Sequence, residues 1–194
     1  VEDTQVGTRE LLLREAIGLL ERDGLPAVTL RAVGAAAGVS RTAPYRHFAD
    51  KEELLAAVAA RALHTLGAEM LRSRDAAGDD PRARLEAVLT AYVDGALAHP
   101  ALYRLIFSED TARREHAELL DAGGAGFAVL AAAVTEARDA RVLPSTGDAT
   151  RLTAVLWSAA HGVADLVLAG HGTAAKGTDD PRELVRLLLR LIGC

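Results

Sequence analysis

Three observations predict an all-α chain. Half of its 194 residues are hydrophobic but only 4% are aromatic, so a core must be built mostly from Leu, Val and Ala. Ala and Leu are strong helix formers, whereas the strand-favouring Ile, Thr, Tyr and Phe are scarce. Apolar residues recur at intervals of three and four, with Pro, Gly and Asp at the breaks.

The elements follow in order, about nine helices in all. Residues 1–7 are polar and expected to fray. A first helix starts at Thr8, with Leu13, Ala16, Ile17 and Leu20 on one face, and ends at Gly24 before Pro26. Thr29 can cap a second helix that Gly38 ends, and Ser40 can cap a third over Ser40–Phe48. Pro44 lies in the first turn of that third helix, where a missing amide costs least. Leu30, Val33, Val39 and Phe48 would close over a small core. Asp50 and Glu53 form a capping-box pattern that opens a long helix to about Met70.

A polar break at 74–80 precedes Asp80-Pro81, which opens a helix burying Leu85, Val88, Leu89, Tyr92, Val93 and Ala96. His99-Pro100 leads into a short helix, Ala101–Phe107. A further helix spans about Arg113–Arg141. Its Gly123, Gly124 and Gly126 each cost roughly 1 kcal/mol relative to Ala, so they mark a kink or a close helix approach. The loop Leu143–Gly147 precedes a helix over about Asp148–Ala169. A Gly- and Thr-rich loop then leads to Asp180-Pro181 and a last helix ending at Ile192.

The formal net charge is -5, so the whole chain is not a basic nucleic-acid binder. Its distribution is uneven. No Asp or Glu occurs from Gly24 to Ala49, whereas Arg31, Arg41 and Arg46 do, with Lys51 just beyond. A basic patch on an acidic body suits one-faced DNA contact, although charge alone does not distinguish this from a chance gap in acids. The single cysteine, Cys194, cannot form an intrachain disulfide, which suits a reducing, cytoplasmic setting. No apolar run approaches a membrane span, no leader pattern precedes the first helix, and no membrane partner is expected. Whether Val1, which is not Met, is the native start is open.

Helix, glycine-centred turn and polar helix from Thr29 to Lys51 are the ingredients of a helix-turn-helix. The run Val28-Thr-Leu-Arg-Ala-Val33, Ala37-Gly-Val-Ser40, Tyr45-Arg-His-Phe48 and Lys51-Glu-Glu-Leu-Leu55 resembles the DNA-binding domain of the TetR (tetracycline-repressor-like) family of bacterial transcriptional regulators. Farther on, His99-Pro-Ala-Leu-Tyr-Arg-Leu-Ile-Phe107 and Trp157-Ser-Ala-Ala-His-Gly162 resemble the subgroup with a Trp…His-Gly signature. Gly34 and Ala35 depart from the family pattern, which often has Ala and a longer polar residue there.

The resemblance implies a three-helix DNA-binding domain at 1–52 and a helical effector-binding and dimerisation domain at 53–194. It implies that Arg31, Arg41, Thr42 and Ala43 meet base edges in the major groove. Arg suits guanine O6 and N7; Ala43 can touch only a thymine methyl. Thr29, Ser40, Tyr45, His47 and Lys51 match phosphate-holding positions, which set register and salt-dependent affinity. Thr29 and Ser40 would cap helices with or without DNA, and Tyr45 could instead be a core aromatic. Arg46 has no assignment.

Trp157, His161 and Asp165 share one helix face. With Tyr92, Tyr103 and Phe107 they either line a pocket for a small-molecule effector or pack as ordinary core. Leu152, Val155, Leu156, Val163 and Leu166, followed by Leu184, Leu187, Leu188 and Leu191, make the last two helices apolar on more than one side. Deep packing or pairing with a second chain would explain this. The resemblance implies pairing, as a homodimer through a four-helix bundle.

The six histidines show no close ligand pair, and no phosphate-loop or nucleophile-elbow pattern occurs, so neither metal, cofactor nor enzymatic activity is expected. The expected function is a ligand-responsive repressor of a palindromic operator. The alternative is a helical adaptor whose helix-turn-helix is only scaffold.

Overall fold

The computed structural model describes residues 2–108, 116–144 and 147–193, with side chains from Gly7 onward. The described residues are helical and contain no strand. Their α-helices are α1 (Glu2–Asp23), α2 (Leu30–Ala36), α3 (Lys51–Ala76), α4 (Pro81–Ala98), α5 (Pro100–Ile106), α6 (Ala117–Asp139), α7 (Ala149–Leu166) and α8 (Pro181–Ile192).

The chain forms two compact units. The first comprises residues 1–63 and 99–122. Leu12, Leu13, Ala16 and Leu20 of α1, Leu30 and Val33 of α2, and Phe48 pack with Leu54, Ala57 and Val58 of α3. Leu102 and Leu105 of α5 and Leu119 and Ala122 of α6 join the same core. The sequence boundary at 52/53 therefore falls inside this unit, because the first turns of α3 supply its core and a later segment returns to it. Val39, expected within that core, is only partly buried against it. α1 begins at Glu2, so most of the stretch expected to fray is helical. Its partners include Arg61, 2.5 Å from Glu10; Glu118, 2.8 Å from Arg9; and His99, 2.6 Å from Glu21.

The second unit comprises residues 64–98 and 123–194. Here α4 packs on α7 and α8. Its buried face is Leu85, Val88, Leu89, Tyr92, Val93 and Ala96, as the periodicity predicts, opposite Leu156, Ala160, Val185 and Leu189. Ion pairs Asp94–Arg182 at 2.9 Å and Glu86–Arg186 at 3.1 Å rim the α4–α8 contact. Asp180 caps α8 by accepting from the Arg182 and Glu183 amides. Glu183 does not return to the cap. It pairs with Arg186 and Arg190, whose hydrogen bonds, Arg190 first, hold its carboxyl below the usual range.

α6 is unbroken across its glycines, and the expected close approach is present: a Cβ on Gly67 would meet Gly126 Cα at 3.4 Å. The expected start of this helix at about Arg113 lies outside the described residues, as do Ser145 and Thr146 of the following loop. α7 gives way after Leu166 to a π-helical turn, Val167–His171, because Gly170 takes φ +81°.

One expectation fails. Lys51–Ala76, Ala117–Asp139 and Ala149–His171 are long and apolar enough, by length and composition, to cross a membrane. Charged residues interrupt each of these helices, so none reads as a continuous apolar run. In these helices alanine supplies much of the apolarity, with isolated charges between.

Candidate nucleic-acid interface

The motif is built from its caps inward. Thr29 has extended φ/ψ (-132°, 151°), and its Oγ1 accepts from the Ala32 amide at 3.1 Å, so it caps α2 as expected. α2 ends at Gly38, whose φ of +65° is left-handed. There the Gly38 amide donates to Ala35 O and the Val39 amide to Gly34 O, both at 3.1 Å, a two-bond glycine cap.

The expected third helix is not an α-helix. Ser40–Phe48 folds as successive turns around one 3-10 turn, Pro44–Arg46. The Ala43 amide donates to Ser40 O at 3.0 Å, Arg46 to Ala43 O at 3.1 Å, and His47 to Pro44 O at 3.0 Å. Pro44 has no amide with which to bond Ser40 O as an α-helix would require, and the i to i+3 pattern takes over. Ser40 consequently caps nothing; its hydroxyl lies 3.4 Å from that of Thr42.

The departure at Gly34 has a packing reason. Pro44 is buried against it, and a Cβ at Gly34 would sit 2.7 Å from Pro44 Cγ. The two elements of the motif touch where a side chain is missing. Sequence spacing did not indicate this contact; the glycine at position 34, where the family often has Ala, was its only signal.

Arg31, Arg41, Thr42 and Arg46 are exposed. Tyr45 is 58% exposed, which removes the core-aromatic alternative. Ala43 and His47 are half-buried. Among the described residues Arg31, Arg41 and Arg46 have no ion-pair partner. The nearest acids are occupied: Asp50 accepts from the Glu52 and Glu53 amides at 2.9 Å, and Glu53 reaches back to the Ala49 amide at 2.6 Å. The surface is left with uncompensated guanidinium groups. Lys51 differs, since its Nζ donates to Leu25 O at 3.1 Å and ties the start of α3 to the turn after α1. That bond competes with the phosphate role implied for it.

The expected pocket residues fall in two places. In the second unit the Tyr92 hydroxyl lies 2.9 Å from His161 Nδ1, and His161 Nε2 lies 3.6 Å from Asp165 Oδ2. Which of the two groups donates in the Tyr92–His161 bond depends on the imidazole tautomer. Trp157 stacks obliquely on His161 at 5.6 Å, and Phe127, which the sequence reading missed, meets Trp157 edge-on at 6.4 Å. Tyr103 and Phe107 belong to the first unit and pair with each other at 4.9 Å.

Of the expected dimer residues, Val155, Leu166, Leu187 and Leu191 are exposed, Leu191 by 75%. Leu152, Val163, Leu184 and Leu188 are half-buried. Leu156 is fully buried in the core of its own unit, so it backs this face rather than forming it.

Comparison with known proteins agrees with this geometry. Residues 12–58 match the family described as bacterial regulatory proteins, tetR family, and residues 85–192 match the tetracyclin repressor-like C-terminal domain. An HTH-type transcriptional regulator BetI of Burkholderia mallei is 37% identical over 94 residues, 46% of this chain and 48% of that protein. The chain thus spans about half the length of the curated relatives it matches. A solved Rhodococcus protein of unknown function is 34% identical with a TM-score of 0.82, covering 95% of this chain and 92% of that one. A TetR family transcription regulator from Marinobacter aquaeolei, 18% identical with a TM-score of 0.69 over 100% and 99% of the two chains, shares the fold. With a tetR-family match at residues 12–58, a matching C-terminal domain at residues 85–192 and no strand among the described residues, the chain belongs to the tetR family of bacterial regulatory proteins.

Proposed function

We propose that this chain is a cytoplasmic, homodimeric DNA-binding regulator that represses transcription from a palindromic operator and releases it when a small molecule binds the C-terminal domain. The carrying observation is the exposed guanidinium set Arg31, Arg41 and Arg46 beside Thr42, on a segment without a single carboxylate from Gly24 to Ala49. Arg31, Arg41 and Thr42 serve as base readers, with Ala43 as an apolar contact to a thymine methyl. Tyr45, His47, Thr29 and Ser40 hold phosphates, and Lys51 does so only by exchanging its bond to Leu25 O.

The exposed Val155, Leu166, Leu187 and Leu191 support pairing of two chains through α7 and α8, which would bring two such motifs to successive major grooves. The Tyr92–His161–Asp165 series beside Trp157 supplies polar groups against aromatic faces, a fitting lining for an effector that prefers one conformation. The test is binding to the duplex upstream of the chain's own gene, titrated against salt and against random duplex. Specific binding with a steep salt slope is expected, and Arg41→Ala should narrow the preference for operator by about tenfold or more. Equal, weak affinity for both duplexes would refute the proposal in favour of a helical adaptor.

A further inference from the structure

The loop between α7 and α8 carries chemistry that DNA binding does not use. The chain has twenty arginines but only two lysines, Lys51 and Lys176. Lys51 is half-buried and donates to the Leu25 carbonyl. Lys176 is exposed, and its Nζ lies 3.0 Å from Nδ1 of His171, also exposed. An ammonium can only donate, so in this contact Nδ1 is the acceptor.

The contact is held by the loop rather than met by chance. Thr178 Oγ1 donates to His171 O at 2.5 Å, and the same oxygen accepts from the Thr173 amide at 3.1 Å. Gly170 and Gly177 flank the loop with φ of +81° and +67°, and between them Gly172 (φ -72°, ψ 79°) and Thr173 (φ -131°, ψ 143°) lead into the turn that brings residue 176 back to residue 171. The Lys176 amide bonds to Thr173 O at 3.0 Å in the 3-10 turn Ala174–Lys176. Amine and base are therefore presented to solvent on a closed, internally bonded loop.

We propose that Lys176 is a site of covalent acylation by small activated acyl donors, acyl phosphates or acyl thioesters, with His171 as the base that takes the proton the attacking amine sheds. An ammonium has no lone pair and cannot attack. The fraction of Lys176 that has already lost one proton to water carries the free pair, which attacks the acyl carbonyl carbon, and His171 Nδ1 takes the second amine proton as the bond forms. The bond from that carbon to the phosphate oxygen or thiolate sulfur breaks, and its electrons leave with that group. The leaving group departs as its anion, and His171 returns its proton to water or to that anion. The product is a neutral amide at Lys176, so the loop loses one positive charge.

The test is incubation of the full chain with acetyl phosphate, and separately with acetyl coenzyme A, followed by peptide mass spectrometry of both lysines over time. Lys176 should acetylate about tenfold faster than Lys51, a fraction of what a positioned base contributes in a closed site. His171→Gln keeps a hydrogen-bond acceptor but removes the base. It should slow acetylation of Lys176 by about tenfold while leaving Lys51 unchanged, the unaltered Lys51 rate reporting that the fold is intact. Reaction with acetyl phosphate alone assigns the donor as an acyl phosphate, and reaction with the thioester alone assigns a thioester. Equal rates at the two lysines with both donors, or a His171→Gln chain that still acetylates Lys176 at the original rate, would overturn the proposal.

Discussion

Gly34→Ala tests how the recognition segment is held. The new methyl would lie 2.7 Å from Pro44 Cγ, 3.4 Å from Pro44 Cδ and 3.9 Å from Val39 Cγ2. Carbon atoms pack at about 3.5–4.0 Å, so the ring must retreat by roughly 1 Å. Pro44 is buried and its ring cannot rotate away, so the backbone carrying Arg41 to Arg46 must move with it. Overpacking of this kind costs about 1–3 kcal/mol. Replacing a helical Gly by Ala returns roughly 1 kcal/mol, leaving a net loss of about 0–2 kcal/mol. For a chain of this size that is a fall in Tm of up to about 8 °C.

The larger effect should be on DNA, because displacing a single two-bond base contact costs about 1–3 kcal/mol, tenfold or more in affinity. Thermal unfolding and fluorescence anisotropy with labelled operator measure the two quantities. Pro44→Ala removes the offending ring atoms, so the double variant should recover, with a coupling of at least about 1 kcal/mol. If Gly34→Ala melted and bound as the parent does, and showed no coupling to Pro44→Ala, the close contact would not be what positions this segment.

Other outcomes follow from the second unit. Glu183 has a folded pKa depressed by Arg190 and Arg186, so its contribution to stability is present above the ordinary carboxylate range and is lost as pH falls through the lowered value. Denaturant unfolding of Glu183→Gln should accordingly differ from the parent at neutral pH and converge with it in acid; a difference that persisted unchanged in acid would refute this. The joint substitution Leu187→Glu with Leu191→Glu should weaken self-association by about 30-fold or more in sedimentation experiments while retaining helical circular dichroism, since both side chains are exposed and contribute little to the protomer core. An unchanged association constant would move the dimer contact elsewhere.

Local chemistry was readable wherever a residue's role depends on its immediate neighbours. Thr29, Asp50 and Asp180 cap the helices they precede, Gly38 ends α2, and the six-residue buried face of α4 follows its periodicity. Ser40 reads equally well as a cap, but Pro44 removes the amide that would have continued the helix. Tyr45 was undecided in the sequence because a lone aromatic suits either core or surface; the turn around it turns it outward. Leu152 and Leu156, four residues apart on one helix, look alike in the sequence, yet one is half-buried and the other is sealed in its unit's core. The one-dimensional pattern gives which residues share a face, not which face meets the protomer.

By itself the sequence determined the helical class, the order of the α-helices other than the one expected over residues 40–48, the acid-free basic segment, and the family. Each follows from propensity, capping and short-range spacing, which act within a few residues. Only the tertiary structure decided that Gly34 receives Pro44, that α5 and the start of α6 belong to the same compact unit as the helix-turn-helix, and that His161 meets Tyr92 sixty-nine residues away. The same holds for Lys51 and Leu25 O. These contacts join positions whose separation along the chain carries no periodic signal; they exist because burying apolar surface brings distant segments together, and steric fit then selects which groups touch.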